Sequence, residues 1–227
     1  MERQLAGADV PYEFVEGVDG RDERINEECD DALALRERGV VLNRGEKGCA
    51  LSHRSIYERM LRERIPCALV LEDDAVLAPS FLGVVQALTQ HPPGGWDWLQ
   101  FGYPAPGVGF MKARAVSVLR AGRRTALRKL IHIPGFCAAQ LAECFRAWRA
   151  RTNPATAGIK VPHRALPHAS AYLITLRGVE KIMPSLRPIR LPADVVPARG
   201  VAEGLVYRIY VPCLVSQSHE FASNTAD

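Results

Sequence analysis

Residues 45–77 read GEKGCALSHRSIYERMLRERIPCALVLEDDAVL, and the fold class follows from how this stretch divides. In its first part Cys49, Ala50, His53, Ile56, Tyr57, Met60 and Leu61 recur at helical spacing and form one apolar stripe. Arg54, Glu58, Arg59, Arg62 and Glu63 fall on the opposite face, and Pro66 stops the helix. "CALVLE" then runs without polar alternation, the pattern of a strand buried on both faces. Three carboxylates, Glu72, Asp73 and Asp74, crowd the end of that strand.

Working outward, "FLGVVQALTQ" predicts a second amphipathic helix and "WDWLQFG" another strand. "ASAYLITL" predicts a strand, "RGVEKIMPSL" a helix, and "LVYRIYVPCLVSQ" one or two closing strands. On the N-terminal side, Met1 falls within the tail of a helix, a short strand is expected near Tyr12–Val15, and 22–38 reads as a charged helical or irregular surface. This strand–helix alternation predicts an α/β domain with a mainly parallel central sheet flanked by helices. The whole of 1–227 reads as one domain, with 103–164 as an insertion or acceptor-side flap that includes a helix at "CAAQLAECFRAWRA".

The chain has 227 residues, 48% hydrophobic and 24% charged, a globular composition. Its net charge is +4, unevenly spread. Lys112, Arg114, Arg120, Arg123, Arg124, Arg128 and Lys129 lie in an interval with no acidic residue between Asp97 and Glu143. Such a field attracts phosphates, acidic saccharides or an anionic membrane surface, or is simply a solvated face. The basic residues lack interleaved aromatics and a nucleic-acid motif, so nucleic acid is not an expected partner. Six cysteines without a C-x-x-C pair suit reduced thiols of a cytoplasmic protein. No secretory signal pattern or membrane-spanning run is present, so any membrane contact is expected to be peripheral.

In open α/β sheets ligands bind beyond the carboxyl ends of strands, which is where Glu72, Asp73 and Asp74 fall. Adjacent carboxylates repel one another unless a cation offsets them. Hard oxygen ligands suit Mg²⁺ or Mn²⁺. Alternation places Glu72 and Asp74 on one side and Asp73 on the other. Asp74 is therefore expected on the metal with Glu72 nearby, and Asp73 as a supporting or donor-contacting group. An exposed acidic turn before a helix is the competing reading. Taken singly, His53 reads as a core histidine, Ser52 as an uninformative mid-helix serine, and Asp194 in "PIRLPADVV" as a loop aspartate that could serve as a general base. Gly45 and Gly48 flank Glu46 at a helix start that could meet phosphate. His163 and His168 have no recognised metal spacing. His219, after the last strand, is a possible third metal ligand or an exposed loop histidine.

Together these residues resemble glycosyltransferase family 25, which includes bacterial lipopolysaccharide sugar transferases and collagen galactosyltransferases. The family pattern is a G-E-x-G-C-x-x-S-H helix followed by an apolar strand ending in L-E-D-D. Gly45, Glu46, Gly48, Cys49, Ser52, His53, Leu71, Glu72, Asp73 and Asp74 all match it. "HASAYLITLRGVEKIM", "LPADVV" and "VPCLVSQS" resemble later segments of the family. The resemblance implies a GT-A-like fold and transfer of a hexose, galactose or glucose, from a UDP-sugar to a lipopolysaccharide-type glycan with inversion. It implies Mn²⁺ or Mg²⁺ on Asp74, Glu72 and His219, Asp194 and Asp73 as catalytic groups, and Glu72, Asp73, Ser52, His53 and Glu46 as donor-binding groups. Family members begin with a further strand before the helix in which Met1 falls, so a sheet lacking its usual first strand is expected. A second reading follows from that start: a non-catalytic remnant of the fold that binds donor weakly or not at all.

Overall fold

Asn43 begins the long helix because its side chain and that of Glu46 satisfy each other's backbone. Asn43 Oδ1 accepts from Glu46 N at 2.8 Å, and Glu46 Oε2 accepts from Asn43 N at 2.9 Å. The computed structural model describes residues 1–6, 11–90, 94–103, 158–162 and 165–218. The basic interval, the expected helix at "CAAQLAECFRAWRA", His163 and His219 lie outside the described residues.

The helices are α1 (Glu2–Leu5), α2 (Asp31–Arg38), α3 (Arg44–Glu63), α4 (Phe81–Gln90), α5 (Leu176–Ile182) and α6 (Val196–Ala202). Short 3-10 turns occupy Glu23–Glu28 and Met183–Leu186. The strands are β1 (Cys67–Leu71), β2 (Ala75–Leu77), β3 (Trp98–Gln100), β4 (Gly158–Lys160), β5 (Ala171–Thr175), β6 (Tyr207–Val211) and β7 (Val215–Gln217). Five of them form a sheet ordered β1-β5-β3-β6-β4, while β2 pairs with β7.

The expected α/β architecture is present, but the sheet is not mainly parallel. Among the described strands of this sheet only β3 and β6 pair in parallel; β1–β5, β3–β5 and β4–β6 are antiparallel. β1, β3 and β6 share one direction, as helical crossovers require, and β5 runs against both β1 and β3. A continuous apolar run does not report the direction of the neighbour, and in β1 it does not report burial on both faces either, since four of its five residues are half-buried. β4 also shows that the region read as an insertion supplies a sheet strand.

Alternate residues of the central strands feed two cores. Trp98, Tyr172 and Ile174 face one with α3, α5 and α6. Leu99, Ala171 and Leu173 face the other with Phe81 and Val85 of α4. β1 lies at the end of this order, so most of its residues are only half-buried. The strand expected at Tyr12–Val15 does not form; the segment pairs with no strand among the described residues, and Tyr12, Phe14 and Val15 are exposed. No helix among the described residues is long and apolar enough to cross a membrane.

Gly48 shows why α3 carries a glycine inside its first turns. A Cβ there would stand 2.6 Å from the Val18 carbonyl oxygen and 3.0 Å from Gly20 N. The same loop is tied down by Val18 N–H donating to Ser52 Oγ at 2.8 Å. Gly48→Ala should therefore destabilise the fold by about 1–3 kcal/mol through overpacking. That loss outweighs the roughly 1 kcal/mol of helix propensity alanine adds. Urea unfolding should show a lower midpoint at unchanged slope; an unchanged or higher midpoint would show that the loop yields freely.

Candidate functional site

The acidic turn hangs between two backbone anchors. Glu72 N–H donates to Ser170 O at 3.0 Å, just before β5, and Ser218 N–H donates to Asp74 O at 2.8 Å, just after β7. The chain turns within these residues, with Ala75 N–H donating to Glu72 O at 3.2 Å, and enters β2. All three carboxylates line a cleft of about 1760 Å³. Its walls are β1, α3, the Tyr12–Val15 segment, α4 and the loop bearing Asp194.

Seven residues singled out in the sequence line this one cleft: Glu46, Ser52, His53, Glu72, Asp73, Asp74 and Asp194. Their surroundings differ. Asp73 is exposed. Asp74 is half-buried; burial, then the charges of Glu72 and Asp73, push its carboxyl above the usual range. Its Oδ1 is buried without a hydrogen-bond partner among the described residues, although the side chain also meets Gln217. Burial and the charge of Glu46 likewise raise the Asp194 carboxyl. Burial, Glu72 and Asp194 push the Cys49 thiol up to about 12, so it stays protonated and is no thiolate nucleophile.

Other side chains in the cleft wall already have tasks. The Ser52 hydroxyl donates to Gly48 O and accepts from Val18 N, each at 2.8 Å. Glu46 closes the helix cap. His53 lies within α3, and its Nε2 meets Glu72 Oε1 at 3.3 Å while its Nδ1 meets Tyr172 Oη at 2.6 Å. Cys49 Sγ, the His53 ring nitrogen and a Glu72 oxygen all fall within 4.8 Å of one another. The Nε2–Oε1 and Sγ–Oε1 hydrogen bonds account for that closeness.

Three further residues build this region, although the sequence gives His168 no metal spacing and marks neither tyrosine as functional. His168 lines the cleft; its Nδ1 meets Ser170 Oγ at 2.9 Å, and burial lowers its proton affinity. Tyr57 and Tyr172 form the buried base beneath His53. A tyrosine four residues after His53 on a shared stripe is the one signal that could have flagged Tyr57. The hydrogen-bond partner of Tyr172 lies 119 residues away, so no local pattern marks it.

A curated "Glycosyltransferase 25 family member" from Anopheles gambiae is 45% identical over 62 residues, covering 26% of this chain. The match spans only 10% of that relative's length. The family described as glycosyltransferase family 25 (LPS biosynthesis protein) matches residues 1–103, the part that holds α3, β1 and the acidic turn. Over those residues the chain is similar to glycosyltransferase family 25.

Proposed function

We propose that the cleft is the active site of a sugar transferase. It would move a hexose, galactose or glucose, from a UDP-sugar to a lipopolysaccharide-type glycan, inverting the anomeric centre. The observation that carries this reading is the opposition of two acidic environments in one cleft: the crowded Glu72–Asp74 turn with its orphaned Asp74 oxygen, and the half-buried Asp194 with a raised proton affinity.

The donor set fits Mn²⁺ or Mg²⁺. A buried carboxylate oxygen with no hydrogen-bond partner among the described residues, beside two further carboxylates, is a place where a hard cation offsets a cost the fold otherwise carries. Asp74 and Glu72 would hold it, with His219 beyond Ser218 as a further ligand. Bound there, the ion supplies positive charge that stabilises the departing diphosphate. Asp194 takes the proton of the acceptor hydroxyl as that oxygen bonds to the anomeric carbon. The bond from that carbon to the diphosphate oxygen breaks, and UDP leaves with the electron pair. Asp73, exposed in the turn, would meet the donor.

The motif can be tested without turnover. Asp74→Asn removes one of three repelling charges and should raise the melting temperature in the absence of divalent ions. Adding Mn²⁺ at 100 times its dissociation constant should stabilise the unsubstituted chain by about 2.7 kcal/mol. The variant should gain far less. Equal gains in both would show that the ion binds elsewhere. A screen of UDP-sugars for Mn²⁺-dependent transfer tests the reaction itself. The alternative of a non-catalytic remnant predicts no saturable heat of binding for UDP with Mn²⁺.

A further inference from the structure

Beneath the cleft floor runs a chain of polar contacts whose hydrogens can be counted. Glu72 Oε1 lies 3.3 Å from His53 Nε2, His53 Nδ1 lies 2.6 Å from Tyr172 Oη, and Tyr172 Oη lies 2.5 Å from Tyr57 Oη. These three contacts need three hydrogens. Two phenols and a singly protonated imidazole supply three.

Only one arrangement uses them all. An ionised Glu72 can only accept, so His53 donates from Nε2. Its Nδ1 is then an acceptor, so Tyr172 donates to it, and Tyr57 donates to Tyr172. A doubly protonated ring would reverse both phenol contacts and leave the Tyr57 hydrogen without an acceptor among the described residues. Tyr57 is 2% exposed and Tyr172 fully buried, so the chain ends inside the core. It cannot carry protons to or from solvent; it can only orient. The phenol is itself held in place: its ring stacks on Trp98 at 3.8 Å and 13°, and on the His53 ring at 5.9 Å and 22°.

We propose that Tyr172 is a positioning residue of this site: it fixes His53 in its Nε2–H tautomer, which pins Glu72 Oε1 and leaves Oε2 turned to the cleft. The Cys49 thiol adds a second, longer contact to the same Oε1 at 3.9 Å. Oε2 accepts no hydrogen bond from the described residues, which leaves it for a cation or donor. The functional weight of this arrangement rests on the transferase reading above; the tautomer does not.

The test is long-range ¹H–¹⁵N correlation of the histidine rings in the labelled chain, assigned by His53→Gln. The Nε2–H form is expected for His53. It should persist in Tyr57→Phe, where the Tyr172 donor remains, and give way to a mixture in Tyr172→Phe. UDP-sugar turnover with Mn²⁺ should fall about 10–100-fold in Tyr172→Phe and no more than about 3-fold in Tyr57→Phe. A merely structural role would weaken both variants alike and leave the tautomer unmoved, which would overturn the proposal. So would an Nδ1–H or doubly protonated ring in the unsubstituted chain, the former being the state expected if Nε2, Cys49 and Glu72 shared a metal ion. That measurement needs neither tyrosine variant to fold. If the tautomer behaves as expected but no chain turns over any UDP-sugar, the transferase reading fails and the positioning of Glu72 stands.

Discussion

Asp194→Asn is expected to lower sugar transfer by about 10²–10⁴-fold, the usual worth of a positioned general base. Asparagine keeps the shape of the side chain and the reach of its oxygen, but it cannot take a proton from an attacking hydroxyl. Donor KM should change little, because the substitution leaves the Glu72–Asp74 turn untouched. Stability should not fall: burial and the charge of Glu46 raise the Asp194 carboxyl above 3.8, so the ionised form is disfavoured in the fold and a neutral replacement relieves that cost. The pH profile supplies a second readout. A base acts when deprotonated, so kcat/KM should rise with pH through a value above the ordinary carboxylate range, and that rise should vanish in the variant. A loss below about ten-fold, or an unchanged acidic limb, would place the base on another group.

How much of this was legible in the sequence depends on the range of the interaction concerned. α3, β1 and the acidic turn were readable because their signals are local: a 3.6-residue stripe, a stop at Pro66, an apolar run and a charge cluster. The direction of β5 was not, since its insertion between β1 and β3 is decided by pairings such as Val70 with Tyr172 and Leu99 with Leu173. Tyr12–Val15 has strand-like composition, yet a strand exists only with a partner ladder. Asp194 reads in the sequence as a loop aspartate that could serve as a base, and only the resemblance singles it out further; its place in the cleft comes from tertiary packing. Glu46 and Ser52 teach the opposite lesson. Each carries a motif position that reads as chemistry, and each has a local structural bond, a helix cap and a loop tether, that is sufficient to explain its residue type. Asp97 only bounds a basic interval in the sequence; in the fold its buried side chain accepts hydrogen bonds from three different residues.

Asp97→Ala should cost about 3 kcal/mol or more of folding stability, the scale for breaking a buried ion pair. The residue is 0% exposed and sits where the approach to β3, the start of α5 and the entry to β6 meet. Oδ1 accepts from Arg177 Nε at 2.6 Å; Oδ2 accepts from Lys181 Nζ at 2.7 Å and from Val206 N at 2.8 Å. Its backbone is engaged as well, with Asp97 N donating to Val206 O and Thr175 N donating to Asp97 O. Alanine would strand the Val206 N–H and leave two cations without their anion. Because Arg177 is 61% exposed and Lys181 29%, both can turn to water, which keeps the loss near the lower end of that scale. Asparagine should cost less, since it keeps an acceptor for the Val206 N–H. The pH dependence separates charge from packing. Burial alone would raise the Asp97 carboxyl, but Lys181, the Val206 N–H and Arg177 together outweigh it and hold the carboxyl below 3.8. A depressed folded value means that the stabilisation is full above the unfolded value and disappears as pH falls through the folded one. Urea unfolding should therefore show the gap between the unsubstituted chain and Asp97→Asn narrowing as the pH is lowered past the carboxylate range. A gap that stays constant from neutral to acid pH would mean that shape, and not the ionised network, holds this junction together.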